Sequence, residues 1–234
     1  RLTVIVATTR GLKMHGGVAL EKIGKPDAEG LRRGFVNLDR HVRNLQSFGQ
    51  TVVVCLNRYD TDTDSEIAMC RVHCESLGVG FALNSAYAEG GRGAEELARL
   101  VAETIEAYPS APLSFTYADE DDIETKAEKV ARNIYGADGV TFSAEARRTL
   151  ERIRHSGAEK FPVCIAKTQY SFSADAHAYG VPTGFNIHIR EVVPNFGAEM
   201  VVLVAGDIMR MPGLPRHPQA ERIDVVNGEI VGLS

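Results

Sequence analysis

Apolar and polar positions switch repeatedly between a strand-like and a helix-like period along the chain. LTVIVA (2–7) is largely apolar and reads as a buried strand, ending in the polar, glycine-containing run TTRGLKMHGG. Over 27–48, Leu31, Phe35, Leu38, Val42 and Leu45 recur at helical spacing, which predicts a long amphipathic helix closed by Gly49. TVVVCL (51–56) is apolar throughout, as a strand covered on both faces should be. A helix over 65–77 follows, with Ile67, Cys70, Cys74 and Leu77 on one side and Gly78 as its stop. VGFAL (79–83) is a short strand, and 93–107, rich in Ala, Glu and Leu, is a helix. This β-α-β-α order with short connections predicts a parallel sheet flanked by helices.

Near residue 109 the pattern breaks. PSAPLSFTYADEDD carries two prolines and an acidic run, and reads as a linker. Helices over 123–134 and 144–155 are predicted next, the second capped by Ser143. The last third holds FPVCIAKTQYS, PTGFNIHIREVV and AEMVVLVAGDIMRMPGLPRHP, strands that each run into a polar or Gly/Pro-rich loop. The fold class is therefore α/β, a mostly parallel sheet flanked by helices with a mixed last section. In such sheets ligands sit beyond the carboxyl ends of the strands. TTRGLKMHGG, NRYDTDTD, NSAYAEGG and AKTQYS occupy that position.

Composition narrows the choice of partner. With 44% hydrophobic and 24% charged residues over 234 positions, the chain has ample material for a core. A net charge of -5 argues against a general nucleic-acid binder, which needs a basic face. No apolar run approaches the ~20 residues of a membrane-spanning helix. Cys55, Cys70, Cys74 and Cys164 form no C-x-x-C pair, so zinc or redox chemistry is not expected, and a reducing, cytoplasmic setting fits. The chain opens inside a strand-like run without methionine, as a piece of a longer polypeptide would.

Four loops offer chemistry. Asp60, Asp62 and Asp64 have the alternate spacing of a calcium loop, but its sixth and twelfth positions fall on Ser65 and Arg71. A calcium loop needs glycine and a carboxylate there, so no metal site is expected and the loop is read as acidic solvent-facing chain with helix caps from Asp64 or Ser65. LNRYD resembles the N-K-x-D element of a GTPase and NSAYAEGG its later S-A-K element, yet no G-x-x-x-x-G-K-[ST] string occurs. Tyr59 and Tyr87 lie in loops after neighbouring strands and could sandwich a planar heterocycle. From the pattern alone, the plainer reading is that each packs its ring and wets its hydroxyl. Arg10, Lys13 and His15 beside Gly16 and Gly17 suit a phosphate or carboxylate. Lys167, Thr168, Gln169 and Tyr170 form a further polar cluster, and Met209 and Met211, read as core fillers, precede a Pro-Gly pair that marks a rigid turn.

VATTRGLKMHGG, LNRYDTDTDSE, NSAYAEGGRGAEEL, IYGADGV, AKTQYS, PTGF and GDIMRMPGLP resemble, in this order, signature segments of formate–tetrahydrofolate ligase. The likeness covers the whole chain and is closer to the bacterial type, over its C-terminal portion. It implies ATP-dependent ligation of formate to tetrahydrofolate through formyl phosphate, giving 10-formyltetrahydrofolate, with Mg²⁺ on the ATP, a monovalent cation as activator, and a homotetramer. It implies that residues 1–54 close a nucleotide-binding domain, a P-loop-NTPase-like remnant, and that 55–234 form a C-terminal folate-side α/β domain. The family sandwiches its pterin between a phenylalanine and a tryptophan, at the positions of Tyr59 and Tyr87 here, and residues 10–17 resemble its nucleotide-side loop. Thr9 stands where Ile or Val is usual and Gly11 where Ala is usual. Catalytic residues are expected in a missing N-terminal half, so the isolated chain is expected to be inactive. The rival expectations are an inactive folate- or nucleotide-binding module and a GTPase-like domain.

Overall fold

The computed structural model describes residues 1–208 and 215–232. Its first half is built on a parallel three-stranded sheet, β1 (Thr3–Ala7), β2 (Val52–Asn57) and β3 (Gly80–Asn84), in that spatial order. The register pairs Ala7 with Leu56 and Asn57 with Asn84, so the three carboxyl ends lie side by side. Central β2 is buried from Val52 to Leu56, which is why its sequence is apolar without alternation. The predicted helices appear as α2 (Ala28–Ser47), α3 (Asp64–Ser76) and, after the single turn α4 (Ala86–Glu89), α5 (Glu95–Ala107). Leu31, Phe35, Leu38 and Val42 of α2 and Ile67, Cys70 and Cys74 of α3 join Val52, Val54 and Leu56 in one core.

Two local expectations need correction. TTRGLKMHGG is a helix, α1 (Thr9–His15), where a polar loop was expected; the Thr8 hydroxyl caps it by accepting from the Gly11 N–H at 2.9 Å. The cap of α3 is Thr63, not Asp64 or Ser65. Its hydroxyl accepts from the Glu66 N–H at 3.2 Å and Glu66 reaches back to the Thr63 N–H at 3.3 Å, a reciprocal capping box.

Residues 108–122 carry no helix or strand, as the composition implies, but they are tied back to the first half. The N–H groups of Ala111 and Ser114 donate to the carbonyls of Gly49 and Phe48. Beyond them α6 (Ile123–Val130) continues as a π-helical turn over Ala131–Tyr135, and α7 (Ala144–Ile153) is capped by Ser143 as predicted. A mixed sheet in the order β4 (Gly139–Phe142), β6 (Asn186–Asn195), β7 (Met200–Ala205), β5 (Val163–Ala166) forms the second core, around Ile187, Ile189, Val201 and Leu203. A hairpin, β8 (Asp224–Val226) with β9 (Glu229–Val231), follows. The predicted fold class, α/β with a mostly parallel sheet and a mixed last section, is the one observed. Met209, Met211 and the Pro-Gly turn lie outside the described residues.

The two halves meet along α2. Asn37 donates to the Gly180 carbonyl at 2.9 Å, Asn44 to the Ile134 carbonyl at 2.9 Å, and Arg40 to the carbonyls of Asn133 and Ile134. From α1, His15 accepts the Gly180 N–H at 3.2 Å.

Candidate functional site

The loops leaving β2 and β3 are welded where they start. Asn84 donates from its side chain to Asn57 Oδ1 at 2.8 Å, the Arg58 N–H donates to the Asn84 carbonyl at 3.0 Å, and the Ala86 N–H donates to Asn84 Oδ1 at 3.0 Å. Residues 57–60 and 84–89 beyond this weld line a cleft of about 770 Å³, within the range of small-molecule sites. Tyr59 and Tyr87 both line it. Tyr59 is 41% exposed and Tyr87 fully exposed, so aromatic surface is displayed at the strand ends rather than packed away.

The aspartates divide their work. Asp62 is buried, accepting from the Thr9 hydroxyl and, at 2.9 Å, from the Tyr59 N–H, while its own N–H donates to the Tyr59 carbonyl. It locks the turn that carries the tyrosine. Asp60 and Asp64 are exposed, Asp64 lying 3.9 Å from Arg58.

Helix α1 grips this loop. Lys13 and Glu66 form a fully buried ion pair at 3.0 Å; Lys13 also donates to the Lys25 carbonyl, and Glu66 accepts from the Asp27 N–H at 3.0 Å. Burial alone would raise the Glu66 carboxyl, but the Asp27 N–H, Lys13 and both donors of Thr63 hold it below its ordinary value. Arg10 lays its guanidinium over the Tyr59 ring, 4.0 Å from the centroid, and donates to the Thr61 hydroxyl at 3.2 Å. Of the other residues expected on the nucleotide side, His15 is turned toward the second half, where burial first and His41 second keep its pKa low. Gly16 is a packing contact: a Cβ there would come 1.8 Å from the Gly30 carbonyl oxygen, so its bare backbone lets α1 lie against α2. Gly17 turns the chain with φ +80.

The AKTQYS segment sits apart, after β5. Lys167 donates to the carbonyls of Thr168 and Ser171 and lies 4.6 Å above the Tyr135 ring; burial brings its amine down to about 8. Thr168, Gln169 and Tyr170 line a second cleft, of about 480 Å³, with Asp175, His177 and Asp207. Asp62, expected as part of a solvent-facing acidic loop, is instead buried and bonded to Thr9, and the role of Glu66 was not singled out from the sequence. Thr63-x-x-Glu66 was the available signal, since it is the spelling of a capping box.

A parallel sheet flanked by helices, with an aromatic cleft of ligand size at its strand ends, places the chain among open-sheet α/β proteins, in which that position is where ligands are usually held. The family model for formate–tetrahydrofolate ligase matches residues 1–234, and the chain belongs to that family. It is 60% identical to a formate–tetrahydrofolate ligase of Bacteroides fragilis and 58% identical to one of Bacteroides thetaiotaomicron, each over 100% of this chain and 42% of the relative. A formate–tetrahydrofolate ligase of Symbiobacterium thermophilum is 50% identical over 98% of the chain and 41% of its own length. The chain thus spans about two fifths of the length of these relatives.

Proposed function

We propose that this chain is the folate-side portion of an enzyme that ligates formate to tetrahydrofolate at the expense of ATP. Formate's oxygen is a poor leaving group, and phosphorylation to formyl phosphate makes it a good one before the formyl group passes to N10 of the folate. The observation that carries the reading is the cleft at the ends of β2 and β3, into which both Tyr59 and Tyr87 project aromatic surface. In this reading the two rings form the walls of a pterin slot, and the weld between Asn57 and Asn84 fixes their spacing.

The same proposal holds that Mg²⁺ accompanies the ATP, that a monovalent cation promotes activity, that the complete enzyme is a homotetramer, and that it works in the cytoplasm. No described helix is long and apolar enough to cross a membrane. The chain contains no G-x-x-x-x-G-K-[ST] string, and in this proposal the grip on the ATP phosphates belongs to the remainder of the longer protein. Residues 1–54 then belong with the nucleotide-binding part and 55–234 with the folate-binding part, joined through β2, in which residues 54 and 55 are neighbours. The isolated 234 residues are accordingly inactive in ligation.

The test is Tyr59→Ala in the full-length enzyme. Loss of one stacking wall raises the KM for tetrahydrofolate by roughly tenfold and leaves the KM for ATP nearly unchanged. Equal effects on both would refute the assignment.

A further inference from the structure

We propose that Arg10 is a positioning residue for the Tyr59 wall, so that α1, taken from sequence as part of a nucleotide-side loop, acts on the folate side of the site. This rests on the reading of the cleft as a pterin slot and adds to it the element that orients one wall.

The geometry is that of a clamp. The Arg10 guanidinium lies 4.0 Å from the centre of the Tyr59 ring, at van der Waals contact with one of its two faces. One Nη donates to Thr61, two residues along the same loop, so the cation is tied to the loop as well as to the ring. Its Nε is buried and has no hydrogen-bond partner among the described residues. A buried unpaired N–H is costly, so the guanidinium is held in this place by stacking and by its anchor rather than by full hydrogen-bond satisfaction. The anchor is rigid on both sides. Thr9 is bonded to buried Asp62, and Lys13, one turn further along α1, is paired with Glu66 inside the core. Arg10 therefore projects from a fixed stretch of helix onto a ring whose own backbone is fixed by Asp62.

Two consequences follow for the cleft. With one face covered by Arg10, which does not line the cleft, Tyr59 offers a ligand only its other face, and the slot takes a single heterocycle between Tyr59 and Tyr87. A half-exposed tyrosine would otherwise sample several rotamers. The clamp removes that freedom before the ligand arrives, which strengthens binding without any contact between Arg10 and the ligand.

The experiment compares Arg10→Gln, Arg10→Lys, Tyr59→Ala and the double variant Arg10→Gln/Tyr59→Ala in the full-length enzyme, measuring KM for tetrahydrofolate, KM for ATP and kcat. Arg10→Gln is expected to raise the folate KM by roughly three- to tenfold, much more than it lowers kcat or moves the ATP KM. Arg10→Lys, with charge but no planar fork, falls between Gln and the parent. The double variant is no worse than Tyr59→Ala alone, because Arg10 acts through the ring. The ATP KM, read on the same preparation, separates this effect from general unfolding. A rise confined to the ATP KM, or additive effects of the two substitutions on the folate KM, overturns the proposal. If Tyr59→Ala raises the folate KM and Arg10→Gln does not, the clamp alone fails. If Tyr59→Ala leaves the folate KM unchanged, the pterin slot itself fails, and the clamp with it.

Discussion

Replacing Lys13 by methionine tests the idea that α1 is stapled to the acidic loop through the core. The substitution keeps the length and the aliphatic packing of the side chain but removes its charge. Glu66, with 2% of its side chain exposed, is then left as a buried carboxylate without a counter-charge, and the Lys25 carbonyl loses its donor. Breaking one partner of such a pair costs about 3–5 kcal/mol, which for a chain of this size lowers the melting temperature by about 6–20 °C. The bonds from Asp27 and Thr63 remain and keep the loss toward the lower end. The pH dependence is specific. In the parent, Glu66 titrates below its ordinary value, so its contribution is present above about 4.5 and is lost as the pH falls through the lower folded value. Without Lys13 the carboxyl takes up a proton more readily, and the gap between variant and parent narrows on acidification from neutral pH toward 4.5. Urea unfolding followed by far-UV circular dichroism at several pH values measures this. Lys13→Met/Glu66→Gln, which is neutral at both positions and keeps an acceptor for Asp27, recovers about half of the loss. A loss below about 1 kcal/mol at neutral pH, or one that does not change with pH, refutes the reasoning.

Two further predictions concern packing and thiols. Gly34→Ala would set a Cβ 1.8 Å from the Leu12 carbonyl oxygen, forcing α1 off α2 at a cost of about 1–3 kcal/mol or more, whereas Gly24→Ala meets nothing within 4 Å and stays within about 0.5 kcal/mol; thermal melts of the two variants give the comparison. Of the four cysteines, Cys164 is exposed while Cys55, Cys70 and Cys74 are buried, and burial pushes the Cys70 and Cys74 thiols up to about 12 and about 11. A disulfide reagent therefore titrates one thiol rapidly in the folded chain, and Cys164→Ser removes that phase.

Legibility in the sequence followed the kind of interaction each segment makes. β2 and α2 were readable because their partners are simply the core, and burial leaves a local period: a solid apolar run in one, Leu31, Phe35, Leu38 and Val42 in the other. The position of the cleft was readable in outline because strand-end position follows from the alternation of elements, and Tyr59 and Tyr87 both line it. α1 was not. It buries Thr9 and Lys13, polar residues whose partners Asp62 and Glu66 each stand 53 positions away, and its glycines suggested a loop. No local period records a polar side chain satisfied from across the fold. β4 (GVTF) and the hairpin of β8 and β9 were missed for other reasons, the first being only four residues long and the second leaving Val225 and Ile230 exposed.

The seam along α2 has an evolutionary consequence. Asn37, Arg40 and Asn44 bind the second half by the main-chain carbonyls of Asn133, Ile134 and Gly180. Every amino acid carries that carbonyl, so the receiving side of the seam can exchange side chains at 133 and 134 without loss of the grip. Position 180, with φ +74, is the exception that only glycine fills without strain. Mutational drift is thus constrained on the giving helix and freer at 133 and 134, while Phe172, whose ring lies 4.8 Å from that of His41 of α2, is a receiving side chain that the seam does hold.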